Sequence, residues 1–326
     1  MNEDRITIGI TAYNAQDTIA AALDSALEQD VPVQQIIVVD DCSSDRTLEI
    51  LEGYRARHPQ IEVISHERNA GVAAARNTII EHATGVFLTF FDDDDVSDPQ
   101  RVRKQRSRIL DYERDFSNGA PVICHTARQQ IYPDGTERIE PAMGSLPGLA
   151  PHGDEVTRYT LMGEPLQRGG YGSCATCSQM ARTETYRALG GFDDAFRRCG
   201  DTELVIRHAR GGGHLIGLAE PLVKQRMTAT AEKSLLKLRD FIMNIYSKHR
   251  DVFDSEYQYR FCRQWISLKF LYLGGGRAMV IMEFFLIATR YPVMTFRRAV
   301  RALGNFESNR VFSRFSLKID KEVSKP

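Results

Sequence analysis

The sequence predicts an α/β protein: a mostly parallel sheet with helices on both faces, followed by a helical module. Three observations predict it. Between Ile6 and Phe91, short apolar runs alternate with stretches of helical periodicity, the pattern of strand–helix repeats. The apolar runs are rich in Ile, Val and Phe and read as buried strands, which suits a sheet covered on both faces. From about Ala231 onward the pattern turns almost wholly helical. The 326 residues, 42% hydrophobic and 26% charged, have ordinary globular composition and are long enough for about two domains.

Taken in order, Ile6–Ala12, Ile36–Asp40, Ile61–Ser65 and Val86–Phe91 read as buried strands rich in Ile, Val and Phe. Between them, Asp17–Gln29, Asp45–Ala56 and Val72–His82 carry helical spacing, with Asp17 and Asp45 at N-cap positions. A helix over Pro99–Tyr112 leads to the apolar run Pro121–Ala127. Pro133-Asp134-Gly135 then marks a hairpin within Ile131–Ile139. Residues 141–172, with many Gly and Pro, read as a loop-rich insertion. Regular structure resumes at Ser173–Arg182, with a helix at Thr183–Leu189, a turn at Gly190–Asp193 and a helix at about Asp201–Arg210. Gly211–Gly213 closes that helix, and His214–Leu218 and Leu222–Gln225 read as the last strands of the sheet.

On such a sheet ligands bind beyond the carboxyl ends of the strands. The loops there are Thr11–Asn14, Asp40–Asp45, His66–Gly71 and Asp92–Asp98, all of them polar. The last opens with four consecutive aspartates, Asp92 to Asp95. Carboxylates this close repel, and a cation or a hydrogen-bond network has to offset the repulsion. Oxygen ligands suit Mg²⁺ or Mn²⁺ and leave part of the ion's shell for substrate phosphates. A solvated acidic turn is the bland alternative.

Five motifs, TAYNAQDTIAAALDSALEQ, IIVVDDCSSDRTLEIL, NAGVAAARNTII, FLTFFDDDDVSDPQRV and LGGFDDAF, stand in the order and spacing of glycosyltransferase family 2. Over roughly residues 5–228 the chain resembles that family. The resemblance implies a GT-A, Rossmann-like fold over residues 1–230, with a nucleotide-sugar half to about 98 and an acceptor half from about 99. Residues 231–326 form the helical module. It further implies a UDP-sugar donor, a glycan or lipid-linked glycan acceptor, and Mn²⁺ or Mg²⁺ as cofactor.

Residue by residue, the resemblance sets Thr11, Ala12 and Tyr13 along the nucleoside pocket, with Tyr13 against the base. Asp41 is the acceptor for the uracil N–H, and Gly71 lets the backbone approach closely. Arg76 reaches toward the nucleotide, a surface salt bridge being its plainer role. Asp94 is the metal ligand, with Asp93 on the ribose or the metal's water shell; Asp92 and Asp95 are left open, because four aspartates allow two registers. Asp201 is the catalytic base; the Glu that often precedes it is replaced by Gly200, and its plainer role is a helix N-cap. Lys224 and Arg226 begin a segment, residues 224–234, expected to close over the diphosphate. No QxxRW motif of processive synthases is present.

The net charge of -1 gives no pull toward nucleic acid. Six cysteines are scattered, and Cys174 and Cys177 read as small residues of a buried strand rather than a zinc or redox pair. With no basic and apolar leader and no spanning segment, the expected location is the cytoplasm. Nine Lys/Arg stand against Glu307, Asp320 and Glu322 from Arg290 onward, with aromatic residues interleaved. That tail reads as a bundle packed on the chain or on a homodimer partner, or as a peripheral contact with an anionic membrane. A nucleotidyltransferase is the rival enzyme class, but ITAYNAQDT lacks the Gly-rich basic loop such enzymes carry after their first strand. An inactive sugar-nucleotide or polysaccharide-binding protein is the second rival.

Overall fold

The computed structural model describes residues 5–168, 170–228 and 235–303. Strands β1 (Ile6–Ala12), β2 (Gln35–Asp40), β3 (Ile61–Ser65) and β4 (Phe87–Asp92) run parallel, in the spatial order β3-β2-β1-β4. Helices α1 (Ile19–Leu27), α2 (Thr47–Arg57) and α3 (Val72–His82) make the connections. Burial explains the composition: Ile6, Ile8 and Ile10 of β1 and Ile36 and Val38 of β2 are sealed into one core with Ile19 and Leu23 of α1. Gly9 faces α3, where a Cβ would come within 2.3 Å of the Ile79 side chain, so the glycine permits helix and strand to touch. The chain moves outward from β1 to β3, then jumps back to β4 on the other side of β1. That reversal opens a crevice between the carboxyl ends of β1 and β4.

β4 next pairs antiparallel with β8 (Met180–Arg182), and β8 with β6 (Val122–Ile131). β6 runs parallel to β9 (His214–Arg226), whose far edge holds the two-residue β5 (Val96–Ser97). β7 (Glu137–Glu140) folds back on β6 as the expected hairpin. The two strands expected after Gly213 are one strand. Thr126 faces Leu218 while Ala127 faces Pro221, so Ala219 and Glu220 bulge out and accommodate a proline that has no amide to donate. Helices α4 (Arg101–Asp115), α5 (Asp154–Thr157), α6 (Thr183–Ala188) and α7 (Gly200–Arg210) complete this half. The mixed sheet with helices on both sides bears out the expected fold class.

Three helix starts differ from the sequence reading, α4 beginning at Arg101 and not at Pro99. α1 begins after Thr18 and α2 after Arg46, not at Asp17 and Asp45. Asp45 sits one residue outside the cap, and its carboxylate instead accepts from the Thr47 amide at 3.0 Å and the Thr47 hydroxyl at 2.5 Å. A short acidic side chain turns the backbone this way as readily as it caps.

The chain divides into two units, Met1–Val156 with Pro165–Met227, and Thr157–Glu164 with Thr228–Pro326. The second contains α8 (Leu235–Lys248), α9 (Glu256–Leu273), α10 (Arg277–Arg290) and α11 (Pro292–Leu303). Leu235, Ile266, Phe270 and Leu273 form its core. The stretch Thr157–Glu164 is part of that packing: Tyr246 donates to the Leu161 carbonyl, and the Arg298 guanidinium to the Met162 carbonyl at 2.6 Å. Among the described residues, no helix is long and apolar enough to cross a membrane.

Candidate active site

The loops at the ends of β1 and β2 lock onto each other. Asn14, in a left-handed conformation, donates its amide to the Ser43 hydroxyl at 2.9 Å, and its side-chain oxygen accepts from the Ser44 amide at 2.8 Å. Thr11 is half-buried and Ala12 buried, while the Tyr13 side chain is left 50% exposed at the mouth of the crevice. Asp40 turns inward: one oxygen accepts from the Ser43 amide at 3.2 Å, and the other is buried without a hydrogen-bond partner. Asp41 joins three segments. One of its oxygens accepts from the Ala70 amide at 2.9 Å and faces His66 Nδ1 at 2.7 Å; the other accepts from the Gly71 amide at 2.7 Å. Gly71 itself has φ +95°, which only glycine adopts without strain, and it opens α3.

The aspartate run leaves the end of β4 in several directions. Asp92 pairs with Arg76 at 3.2 Å; the Arg76 side chain is 11% exposed and its guanidinium lies over the Phe192 ring. The pair is therefore partly buried, not the surface bridge that was its plainer reading. Asp93 accepts from the Tyr13 amide at 2.9 Å, tying β4 to β1 across the crevice. Burial, together with the charges of Asp94 and Asp92, raises the Asp93 pKa to about 7. Asp95 is buried, accepts from the Arg226 amide at 3.0 Å through one oxygen, and leaves the other sealed without a partner. Its pKa is also raised, by burial and then by Asp92 and Asp94. Asp94 is half-buried.

Ligand atoms of Asp92, Asp95 and Cys177 lie within 4.8 Å of one another. Burial and the Asp95 and Asp92 charges push the Cys177 thiol well up, so it stays protonated beside them. Two carboxylates with a thiol rather than a thiolate suit a hard cation such as Mg²⁺ or Mn²⁺, and the sealed Asp95 oxygen is an acceptor in want of one. Asp94, the ligand expected from the sequence, is not one of these three. Beneath them lies a residue the sequence reading missed. Arg101 is fully buried, donates to Ser97 Oγ at 2.8 Å and the Phe90 carbonyl at 2.8 Å, and is stacked 4.3 Å over Phe91. Burial lowers its pKa to about 10, with Asp95 and Asp92 among the charges that oppose the fall. Its signal was the run DPQRV, which sets an arginine at the start of α4 behind the acids.

Asp201 lies near enough to Cys174 for its charge to act on that thiol. The Cys174 thiol is pushed up by burial and then by the Asp201 charge, while Cys177 feels Asp95 and Asp92. The Cys174–Cys177 stretch is not the buried strand expected of it: Thr176–Ser178 is a single 3₁₀ turn, and both cysteines are free. Asp201 is not the N-cap of α7 either. The cap position is Cys199, held at φ +60°, and the Asp201 carboxylate accepts from the Thr202 amide at 2.7 Å. Under the same stretch, the buried Arg128 donates to Ser173 Oγ at 2.6 Å and to Gln225, and Gln225 reaches Cys177 Sγ at 3.6 Å.

Lys224 and Arg226 lie in β9, so they belong to a paired strand and not to a closing loop. Residues 229–234 of the expected segment lie outside the described residues. Asn77 is a second residue missed in the sequence. Its side-chain oxygen accepts from the Phe192 amide at 2.7 Å and its nitrogen donates to the Phe192 carbonyl at 2.8 Å, so the NAGVAAARN motif fastens the LGGFDDAF turn.

The model of a family described as "Glycosyl transferase family 2" matches residues 7–177. A putative teichuronic acid biosynthesis glycosyltransferase of Bacillus subtilis, TuaG, is 36% identical over 112 residues, 34% of this chain and 44% of its own length. The Escherichia coli protein WfgD, a UDP-Glc:alpha-D-GlcNAc-diphosphoundecaprenol beta-1,3-glucosyltransferase, is 34% identical over 120 residues, 36% of this chain and 46% of its own. The chain thus spans less than half the length of these two relatives. Among solved structures, S. aureus TarS 1-349 in complex with UDP-GlcNAc matches with a TM-score of 0.61 at 15% identity, covering 98% of this chain and 91% of that one. At that identity the likeness establishes the fold.

Proposed function

This chain belongs to glycosyl transferase family 2, and on that premise we propose that it moves a sugar from a UDP-sugar to a hydroxyl of a glycan or lipid-linked glycan, with inversion. The observation that carries the reading is the Tyr13 amide bound to Asp93, which joins the end of β1 to the Asp92–Asp95 run at one crevice; Asp201 is added from the family resemblance, its charge acting on Cys174. The TarS complex with UDP-GlcNAc and the UDP-Glc donor in WfgD's name support a UDP-sugar. WfgD's diphosphoundecaprenol acceptor supports a lipid-linked glycan.

In this reading Tyr13 lies against the uracil in a nucleoside pocket that Thr11 and Ala12 of the strand end also line. Asp41 Oδ2 accepts one hydrogen bond within the protein and keeps a lone pair for the uracil N–H. Arg76 holds Asp92 in place, and Asp93 is set on the ribose. Asp94, with Asp92 and Asp95 beside it, would hold Mn²⁺ or Mg²⁺, which offsets the charge of the departing diphosphate when bound. Lys224 and Arg226, fixed in β9, supply positive charge near the same group. Asp201 takes the proton from the acceptor hydroxyl as its oxygen bonds to the anomeric carbon. The bond to the diphosphate breaks on the opposite face, so an α-linked donor gives a β-glycoside and UDP leaves.

The test is donor hydrolysis and transfer over a panel of UDP- and GDP-sugars, with Mn²⁺, Mg²⁺ or EDTA. Metal-dependent turnover of a UDP-sugar, abolished in Asp94→Ala, is the expected result. Full activity in EDTA, or in Asp94→Ala, overturns the metal assignment; turnover of GDP-sugars alone overturns the donor.

A further inference from the structure

The second unit presents a surface that the transfer chemistry does not use. α10 buries only Ile287, while Met279, Ile281, Met282, Phe285 and Leu286 stand exposed on its outer arc. α11 continues the pattern: Val293, Phe296 and Val300, at i, i+3 and i+7, share one face, and Phe296 is 72% exposed. Large apolar side chains exposed in such a group mark a surface that something covers.

Charge selects what covers it. α11 contains no acid, and α10 contains only Glu283. Arg277, Arg290, Arg297 and Arg301 are exposed around the apolar side chains, whereas Arg298 turns inward to the Met162 carbonyl. A second copy of this chain would set one arginine rim against another, and like charges at an apolar seam oppose association. A sheet of anionic lipid offers the complementary partner: acyl chains for Phe285, Phe296 and their neighbours, phosphates for the arginines.

We propose that the outer face of α10 and α11 is a peripheral docking surface for an anionic lipid bilayer. The helices lie in the interface, with the apolar residues among the headgroup–acyl boundary and the arginines at the phosphates. Neither of these two helices crosses the bilayer. The binding depends on lipid charge and on salt, because the exposed arginines act through attraction to the lipid phosphates, which salt screens.

The experiment is co-sedimentation of the full chain with phosphatidylglycerol–phosphatidylcholine vesicles and with phosphatidylcholine vesicles, at low and high salt and without donor sugar, so its outcome is independent of the transfer reaction. The full chain is expected in the pellet with anionic vesicles at low salt, and in the supernatant with neutral vesicles or at high salt. Arg297→Glu with Arg301→Glu should lower the partition into anionic vesicles by roughly ten-fold or more. Phe285→Ser with Phe296→Ser, both exposed positions whose replacement leaves the helical circular dichroism intact, should lower it comparably. Failure of the full chain to pellet with anionic vesicles overturns the proposal, and so does pelleting unchanged in both variants. A dimer in sedimentation equilibrium that the phenylalanine variant splits, without vesicle binding, assigns the face to a second copy instead.

Discussion

Asp201 accepts a hydrogen bond from the neighbouring Thr202 amide, a bond that asparagine also accepts. Asp201→Asn therefore keeps the start of α7 and loses only the ability to take a proton. Turnover is expected to fall by roughly two to four orders of magnitude, the range for a lost general base, with donor affinity little changed. Activity within a few-fold of the parent would reduce Asp201 to a structural residue. Asp93 lends itself to a different measurement. Its pKa in the fold is raised to about 7 from a usual 3.8, so the folded chain keeps a proton that the unfolded chain has released over that window. The group's contribution to stability is full below the lower value and is lost as pH rises through the upper one. Buried His125 and His208, with pKa values lowered to about 3 and about 4, pull the other way, since they favour the fold as pH rises. The comparison must then be with Asp93→Asn in EDTA, where the histidines cancel. The variant's advantage in Tm should be small at pH 5 and larger at pH 8; an advantage independent of pH would refute the buried-acid account. Residues such as Asp93 and Asp201 were legible because their neighbours in sequence announce them. Arg101 and Asn77 were not: a buried arginine and a turn-clamping asparagine look, in one dimension, like any solvent-facing polar side chain.

At the scale of elements, the sheet was legible almost residue for residue where strands are buried on both faces. Ile6–Ala12 has the bounds its apolar run suggests, and Gln35–Asp40 starts one residue before its own; the edge strand Ile61–Ser65, with only Ile61 buried, also keeps the expected bounds. Helix starts were read one or two residues early, because an aspartate that turns the chain and one that caps a helix look alike in sequence. β9 was read as two strands because Pro221 interrupts it, while its partner β6 simply shifts register to keep pairing. The loop after β2 shows the cost of reading a site from motifs alone. Asp41 was placed for the uracil, and in the fold it also secures the Ala70 and Gly71 amides that begin α3. Asp41→Ala should weaken UDP binding by about 1.5–3 kcal/mol, the worth of a hydrogen bond to a charged group. Calorimetry with UDP measures it, and unchanged affinity would confine Asp41 to holding the loop.

For the whole molecule, the sequence gives two units in succession, and the structure interleaves them: Thr157–Glu164 belongs with the helices after Thr228. No periodicity in a loop-rich insertion reveals which distant helix it will pack on. A chain ended after Thr228 would strip the Leu161 and Met162 carbonyls of the Tyr246 and Arg298 donors and uncover two buried side chains. That shortened chain should melt at lower temperature and aggregate, measured by thermal unfolding with light scattering; an unchanged melting profile would show the insertion to be self-sufficient. The same interleaving bears on how the protein is made. A ribosome releases Thr157–Glu164 well before α8 and α11 exist to receive it, so during synthesis this stretch must wait with Leu161 and Met162 uncovered. α11, the last of the described helices to emerge, then completes a seam begun in the middle of the chain, and nascent chains stalled short of it should be the ones that recruit chaperones.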